Sequence, residues 1–179
     1  TELIPNIDSL SPHDQTLLKE HSLTKSSYTP DGELIVGITS DTIISFVKTD
    51  GTFVKAFKGH KGIIKGLNFS NDGRLLISSS EDNTIRFWNV KTGEYAVLLV
   101  SDKDWIIYTP DGYFDASQNG VKLLGITVGS ASLGVDQFST KFNRPDIILN
   151  RLAIGTPEII AHFNAQHKKR LGKREFTEE

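Results

Sequence analysis

Gly59-His60-Lys61-Gly62-Ile63-Ile64-Lys65-Gly66-Leu67-Asn68-Phe69-Ser70-Asn71-Asp72-Gly73-Arg74-Leu75-Leu76-Ile77-Ser78-Ser79-Ser80-Glu81-Asp82-Asn83-Thr84-Ile85-Arg86-Phe87-Trp88-Asn89 is the stretch on which the fold turns. At its centre an aromatic residue, Phe69, runs into Ser70-Asn71-Asp72-Gly73, a turn composition in which glycine supplies the positive φ. A short β-rich run, Leu75-Leu76-Ile77, follows. Ser80-Glu81-Asp82-Asn83 is a second polar turn and Thr84-Ile85-Arg86-Phe87-Trp88 a further strand. Lys91-Thr92-Gly93 then leads into Glu94-Tyr95-Ala96-Val97-Leu98-Leu99. Short apolar runs punctuated by turn residues predict consecutive antiparallel strands.

The central phrase recurs on both sides. Tyr28-Thr29-Pro30-Asp31-Gly32 precedes it and Tyr108-Thr109-Pro110-Asp111-Gly112 follows it; Asp31 and Asp72 are 41 positions apart, Asp72 and Asp111 39. A period of this size marks a repeat architecture. The first unit repeats the strand pattern with Leu34-Ile35-Val36, Ile43-Ile44-Ser45-Phe46-Val47 and Phe53-Val54-Lys55-Ala56-Phe57, separated by Thr39-Ser40-Asp41 and Thr49-Asp50-Gly51. With the strand that leads into the phrase, each unit has four strands, which is one blade of a propeller.

Gly59-His60, Leu67 through Gly73 and Leu76 through Asn89 together resemble a repeat of the WD family, with Asn89 where that family usually has aspartate. The resemblance implies a hydrogen-bonded set of a histidine, a strand serine, a turn aspartate and a tryptophan, here His60, Ser78, Asp82 and Trp88. Physical reasoning supports the assignment. A blade is sandwiched between neighbours, so polar groups inside it must satisfy one another or each costs a few kcal/mol.

Residues 24–58 form a degenerate version of the same unit: aligned without gaps, Val47 stands at the position of Trp88 and Gly37 at that of Ser78, while Asp41 still matches Asp82. Upstream, Leu18-Lys19-Glu20-His21 is similar to Phe57-Lys58-Gly59-His60, so residues 1–23 are expected to be the tail of a preceding blade. Residues 101–142 form a divergent closing unit without the Gly-His and Trp-Asp marks. Trp105, Tyr108 through Ser117, and Arg144-Pro145-Asp146 downstream resemble the closing segment of propellers in bacterial multidomain proteins that also carry caspase-like peptidase domains. From 143 onward the chain is expected to be helical, as a tail or a linker to another domain. Thr156-Pro157-Glu158 is a helix start with a cap, an early proline and an acid favoured by the dipole. Ile159, Ile160, Phe163 and His167 are expected on one side of that helix. The fold class expected is all-β: a partial β-propeller of four-stranded antiparallel blades with a C-terminal α-helical tail. Propellers close with about 4–8 blades, so the missing blades are expected elsewhere in a longer parent polypeptide; the first residue, Thr1 rather than methionine, agrees.

Composition narrows the function. Twenty basic and 22 acidic residues give a net charge of −2, so no basic footprint for nucleic acid or anionic lipid dominates. No apolar run spans a bilayer and no secretory signal is present at the start, which reads as a soluble, cytoplasmic chain. Cysteine is absent, excluding disulfides, thiolate metal sites and cysteine nucleophiles from these residues.

His60, Asp82 and Ser78 can be drawn as a catalytic triad; buried hydrogen bonding already explains those positions, and the serine has no oxyanion partner nearby in sequence. His13, His21, His162 and His167 lack metal-ligand spacing. Glu81-Asp82 and Asp102-Lys103-Asp104 read as turns rather than as a carboxylate pair or a calcium loop. No catalytic, cofactor or metal residue is expected. The basic run from Lys168 to Arg174 reads as a solvated helix end, and Trp105 as filling space between blades rather than stacking on a ligand. What remains is a protein-interaction scaffold that docks a protein or peptide on the exposed turns Lys61, Asn83, Asp102, Lys103 and Asp104, with Trp105 beside them. The narrower alternative is a regulatory or substrate-recruiting part of a larger caspase-like peptidase, with its catalytic dyad outside these residues.

Overall fold

The structure is a computed structural model that describes residues 24–128 and 131–175; the expected blade tail at 1–23 lies outside these residues. The chain divides into two compact units, Thr1–Gly93 and Glu94–Glu179.

The described residues of unit 1 contain seven strands: β1 (Thr24–Tyr28), β2 (Leu34–Thr39), β3 (Ile43–Lys48), β4 (Phe53–Lys58), β5 (Ile64–Phe69), β6 (Leu75–Ser80) and β7 (Ile85–Asn89). The first four form an antiparallel sheet in sequence order. β5, β6 and β7 pair antiparallel in the same manner. The strands lie where the apolar runs predict them and extend one to three residues further.

β2 and β3 are buried along almost their whole length, because both faces of their sheet are covered. Val36 pairs with Phe46 and Ile38 with Ile44; residues paired across an antiparallel ladder share a face, and all four are at most 2% exposed. On that side Phe46 meets Phe57 edge-on, with centroids 5.0 Å apart, and Phe57 stacks on Trp88 at 5.3 Å and 13°. The aromatic column carries the core from one sheet to the next, each such pair contributing roughly 0.5–1.5 kcal/mol beyond its burial. Hydrogen bonds between the sheets add direction: the Ile64 amide donates to the Asp41 carbonyl at 2.7 Å, and the Lys55 ammonium donates to the Val90 carbonyl.

The repeated phrase is also one repeated geometry. In each copy the residue after the aromatic carries a hydroxyl, and that hydroxyl accepts from an amide across the turn: Leu34 N to Thr29 Oγ1 3.1 Å, Leu75 N to Ser70 Oγ 3.0 Å, Tyr113 N to Thr109 Oγ1 3.1 Å. Gly32, Gly73 and Gly112 all have left-handed φ, at 75°, 68° and 92°, a conformation that favours glycine. Asp31 and Asp72 accept from the amides two residues on, Glu33 and Arg74.

Unit 2 opens with β8 (Tyr95–Ser101), β9 (Asp104–Tyr108) and β10 (Phe114–Ala116). β8 and β9 form a hairpin closed by Asp102-Lys103, with Ser101 paired to Asp104; the boundary expected between residues 100 and 101 falls inside it. A 3₁₀ turn (Gly120–Leu123), a second hairpin of β11 (Gly125–Val128) and β12 (Ala131–Gly134), and another 3₁₀ turn (Val135–Phe138) follow. Three helices end the described chain: α1 (Ser139–Phe142), α2 (Pro145–Arg151) and α3 (Pro157–Glu175). Their core gathers Ile106, Phe114 and Val135 with Leu99, Tyr108 and Phe142 around them. The helix start at Thr156-Pro157 stands as expected; along α3, Ile159 is 47% exposed, while His167 is buried.

Three arginines brace the helices of unit 2. Arg151 on α2 grips Asp111 of the third turn phrase with two bonds, 2.5 and 2.6 Å, and lies over the Tyr113 ring at 5.6 Å; with Thr109, it holds Asp111 down to about 2. Arg144 grips the buried Asp146 at 2.9 and 2.7 Å. Arg170 of α3 donates to the side-chain and backbone oxygens of Asn143 at 2.9 and 2.7 Å, so this member of the basic run is docked rather than merely solvated.

Gly120 is the tightest joint in unit 2. A Cβ placed there would lie 1.8 Å from the Trp105 carbonyl oxygen and 2.8 Å from Ser117 Oγ. Gly120→Ala is expected to destabilise unit 2 by about 1–3 kcal/mol or more, as overpacking does, and hydrogen exchange at the Ile106 and Phe114 amides is the measurement that checks it.

Candidate functional site

Two strands, a connecting loop and a turn place the hydrogen-bonded set. His60 lies between β4 and β5, Ser78 on β6, Asp82 in the turn after β6, and Trp88 on β7. Trp88 Nε1 donates to Ser78 Oγ at 2.8 Å. Ser78 Oγ lies 2.7 Å from His60 Nε2, and His60 Nδ1 2.9 Å from Asp82 Oδ2. With Asp82 ionised, Nδ1 carries the imidazole proton and Nε2 accepts from the serine hydroxyl, so each polar atom of the chain from indole to carboxylate has a partner.

The sequence reading missed Thr84, which completes the set. Its hydroxyl and amide donate to Asp82 Oδ1 at 2.6 and 3.0 Å, and the Lys61 amide donates to Asp82 Oδ2 at 2.9 Å. The signal was present: a hydroxyl residue two positions after a turn aspartate forms an Asx-type turn.

Burial governs the electrostatics. His60 has no exposed side-chain surface and Ser78 is fully buried. Burial pushes the His60 imidazole below its ordinary 6.5, with Asp82 opposing and Arg86 adding to the shift. For Asp82 burial resists ionisation, but bonds from the Thr84 hydroxyl, the Lys61 amide and His60 outweigh it and hold the carboxyl far below the usual carboxylate range. A nucleophile needs access and a base able to take its proton. Ser78 has no exposed surface, and its oxygen already accepts from an indole. Gly62 is pressed against the same turn: a Cβ there would meet the Asp82 amide nitrogen at 2.6 Å.

Lys61 and Asn83 are exposed, and Asn83 holds a left-handed φ of 61°. Asp102 and Lys103 are exposed at the tip of the β8–β9 hairpin. Asp104 is half-buried and accepts from Ser117 Oγ at 2.7 Å. Trp105 departs from the reading given it: its ring does not fill an enclosed space, for 37% of the residue is exposed. His13 and His21 lie outside the described residues. Among the described residues no three His, Cys, Asp or Glu side chains converge, and no helix is long and apolar enough to cross a membrane.

Two outcomes follow from the geometry. Ser78→Ala leaves the Trp88 N–H and His60 Nε2 without their partner; at about 1–3 kcal/mol per orphaned buried group, unfolding in urea is expected to register a loss of about 2–5 kcal/mol. Because His60 binds a proton less readily folded than unfolded, its contribution is full above pH 6.5 and declines as the pH falls below that value; Asp82 contributes a second decline below 3.8. Urea titrations between pH 8 and 4 are expected to show stability falling from pH 6.5 downward, and His60→Asn to flatten that first decline.

Comparison with known proteins agrees with this geometry. The family model described as WD domain, G-beta repeat matches residues 51–89, which run from β4 through β7. The chain is 35% identical over 109 residues to eukaryotic translation initiation factor 3 subunit I of Neurospora crassa, covering 60% of this chain and 30% of that protein. It is 32% identical over 109 residues to the subunit I of Aspergillus oryzae, covering 60% and 31%, and 37% identical over 76 residues to that of Aspergillus niger, covering 42% and 23%. The chain thus spans about 30% of the length of the curated relatives it matches over 109 residues. The proteins named here do not extend the resemblance of the closing unit to peptidase-associated propellers. Residues 51–89 thus match the WD repeat of the G-beta type, with antiparallel strands under the match.

Proposed function

We propose that the chain is a non-enzymatic segment of a WD-repeat propeller that serves as a protein-interaction scaffold in the cytoplasm. The observation that carries this reading is the enclosure of His60 and Ser78: the one arrangement in the repeat that resembles a catalytic triad has no surface from which to act, while the turns around it are exposed. A rigid sheet that presents exposed turns is a contact surface by construction. The named relatives are by title subunits of a larger assembly, which supports a docking role.

The proposed repeat organisation is a degenerate blade at 24–58, a well-formed blade at 59–100 and a divergent closing unit at 101–142, with the remaining blades supplied by a longer parent polypeptide and the helices from 143 leading onward. The hydrogen-bonded set of His60, Ser78, Asp82 and Trp88 is proposed as a structural staple of the middle blade. Lys61, Asn83, Asp102, Lys103, Asp104 and Trp105 are its proposed partner contacts.

The test pairs binding with turnover. Lys61→Glu and Lys103→Glu, each at an exposed turn, are expected to keep the melting temperature and to weaken partner capture about tenfold, as measured by quantitative affinity purification. Hydrolytic turnover by the isolated chain, lost in His60→Ala while folding is retained, would overturn the non-enzymatic reading. The narrower peptidase-associated reading has no support in the relatives named above, and it requires a histidine and cysteine dyad in the parent coding sequence.

A further inference from the structure

Beyond the repeat, unit 2 encloses a cavity of about 540 Å³ between the third turn phrase, α1 and the C-terminal half of α3, within the roughly 300–1,000 Å³ of small-ligand sites. Tyr113, Phe138, Phe142 and Leu171 give it an apolar wall. The polar wall is basic: Lys141, Arg144 and His167 line it, and no acidic side chain does among the described residues.

These groups differ in what they have left to offer. Arg144 is committed to Asp146 through two bonds. Lys141 is exposed and lies over the Phe142 ring at 5.5 Å. His167 is 7% exposed, and its Nδ1 has no hydrogen-bond partner among the described residues; a buried polar atom left so costs about 1–3 kcal/mol. Burial disfavours its protonation, Arg144 and Arg170 add to that effect, and Asp146 opposes them. A carboxylate entering here meets a lysine and relieves the surplus of positive charge around the imidazole.

We propose that this cavity recognises a short acidic peptide segment of a protein partner, taking a carboxylate toward Lys141 and His167 and an adjacent aromatic side chain between Tyr113, Phe138 and Phe142. The charge of the lining selects the acid, and the aromatic wall selects its neighbour, since offset and edge-on ring contacts are favourable there. The proposal rests on the reading of the chain as a protein-binding module but uses a surface outside the WD repeat.

The experiment is a titration of the ¹⁵N-labelled full chain with a blocked glutamyl-phenylalanine dipeptide, followed by amide and imidazole NMR shifts. Shifts confined to residues around Tyr113, Phe138 to Phe142 and the His167 ring are expected, with glutaminyl-phenylalanine and glutamyl-alanine counterparts binding about tenfold more weakly, a loss of about 1.4 kcal/mol. Lys141→Glu, at an exposed position, is expected to weaken binding about tenfold with the spectrum otherwise intact. Equal binding of the uncharged dipeptide, shifts scattered over both units, or no shift at millimolar peptide overturns the proposal. Lys61→Glu leaves this binding unchanged, so failure here and failure of the scaffold reading are told apart.

Discussion

A single hydroxyl ties the middle of the repeat together. Ser78 Oγ accepts from the Trp88 indole and faces the His60 imidazole, whose far side faces Asp82. None of these groups tolerates burial alone, since a polar atom without a partner in the interior forfeits its hydration for nothing. Joined, they let an indole, an imidazole and a carboxylate sit where an apolar core would otherwise be required. The positions of two strands, a connecting loop and the turn after β6 are fixed by the same bonds.

The aromatic column depends on that arrangement. Trp88 can stack on Phe57 only while its N–H is satisfied on the other edge, and Phe57 in turn meets Phe46. The polar set in one sheet and the apolar contact to the next are two sides of one indole. The degenerate first sheet, with Gly37 and Val47 where the set would stand, instead contributes Phe46 and a continuous apolar pair of strands to the interface. In place of an indole-to-carboxylate set it has a single short link between its buried strands, Thr39 Oγ1 donating to Ser45 Oγ at 2.8 Å.

Much of this was legible from the residues. The turn phrase declared itself three times, and its hydroxyl, aspartate and glycine act locally, so neither distant packing nor context can obscure them. Strands between such turns were bounded to within a few residues. The set of His60, Ser78, Asp82 and Trp88 was visible through family resemblance. The bond from Thr84 was overlooked although its spacing is local. Contacts in unit 2 were hidden for a different reason: Arg151 and Asp111 are 40 residues apart, and no periodicity links a helix arginine to a turn aspartate. Docking of α3 onto Asn143 and Asp146 is polar, and hydrophobic spacing is blind to it.

The stretch matched by the repeat family, residues 51–89, begins on β4 and ends on β7. β4 is hydrogen-bonded into the first sheet, whereas β5 to β7 make up the next. The hereditary unit and the folded unit are therefore out of step by one strand. Duplicating such a gene segment adds a stretch whose leading strand completes the sheet before it, so the covalent chain, and not side-chain packing alone, ties one sheet to the next.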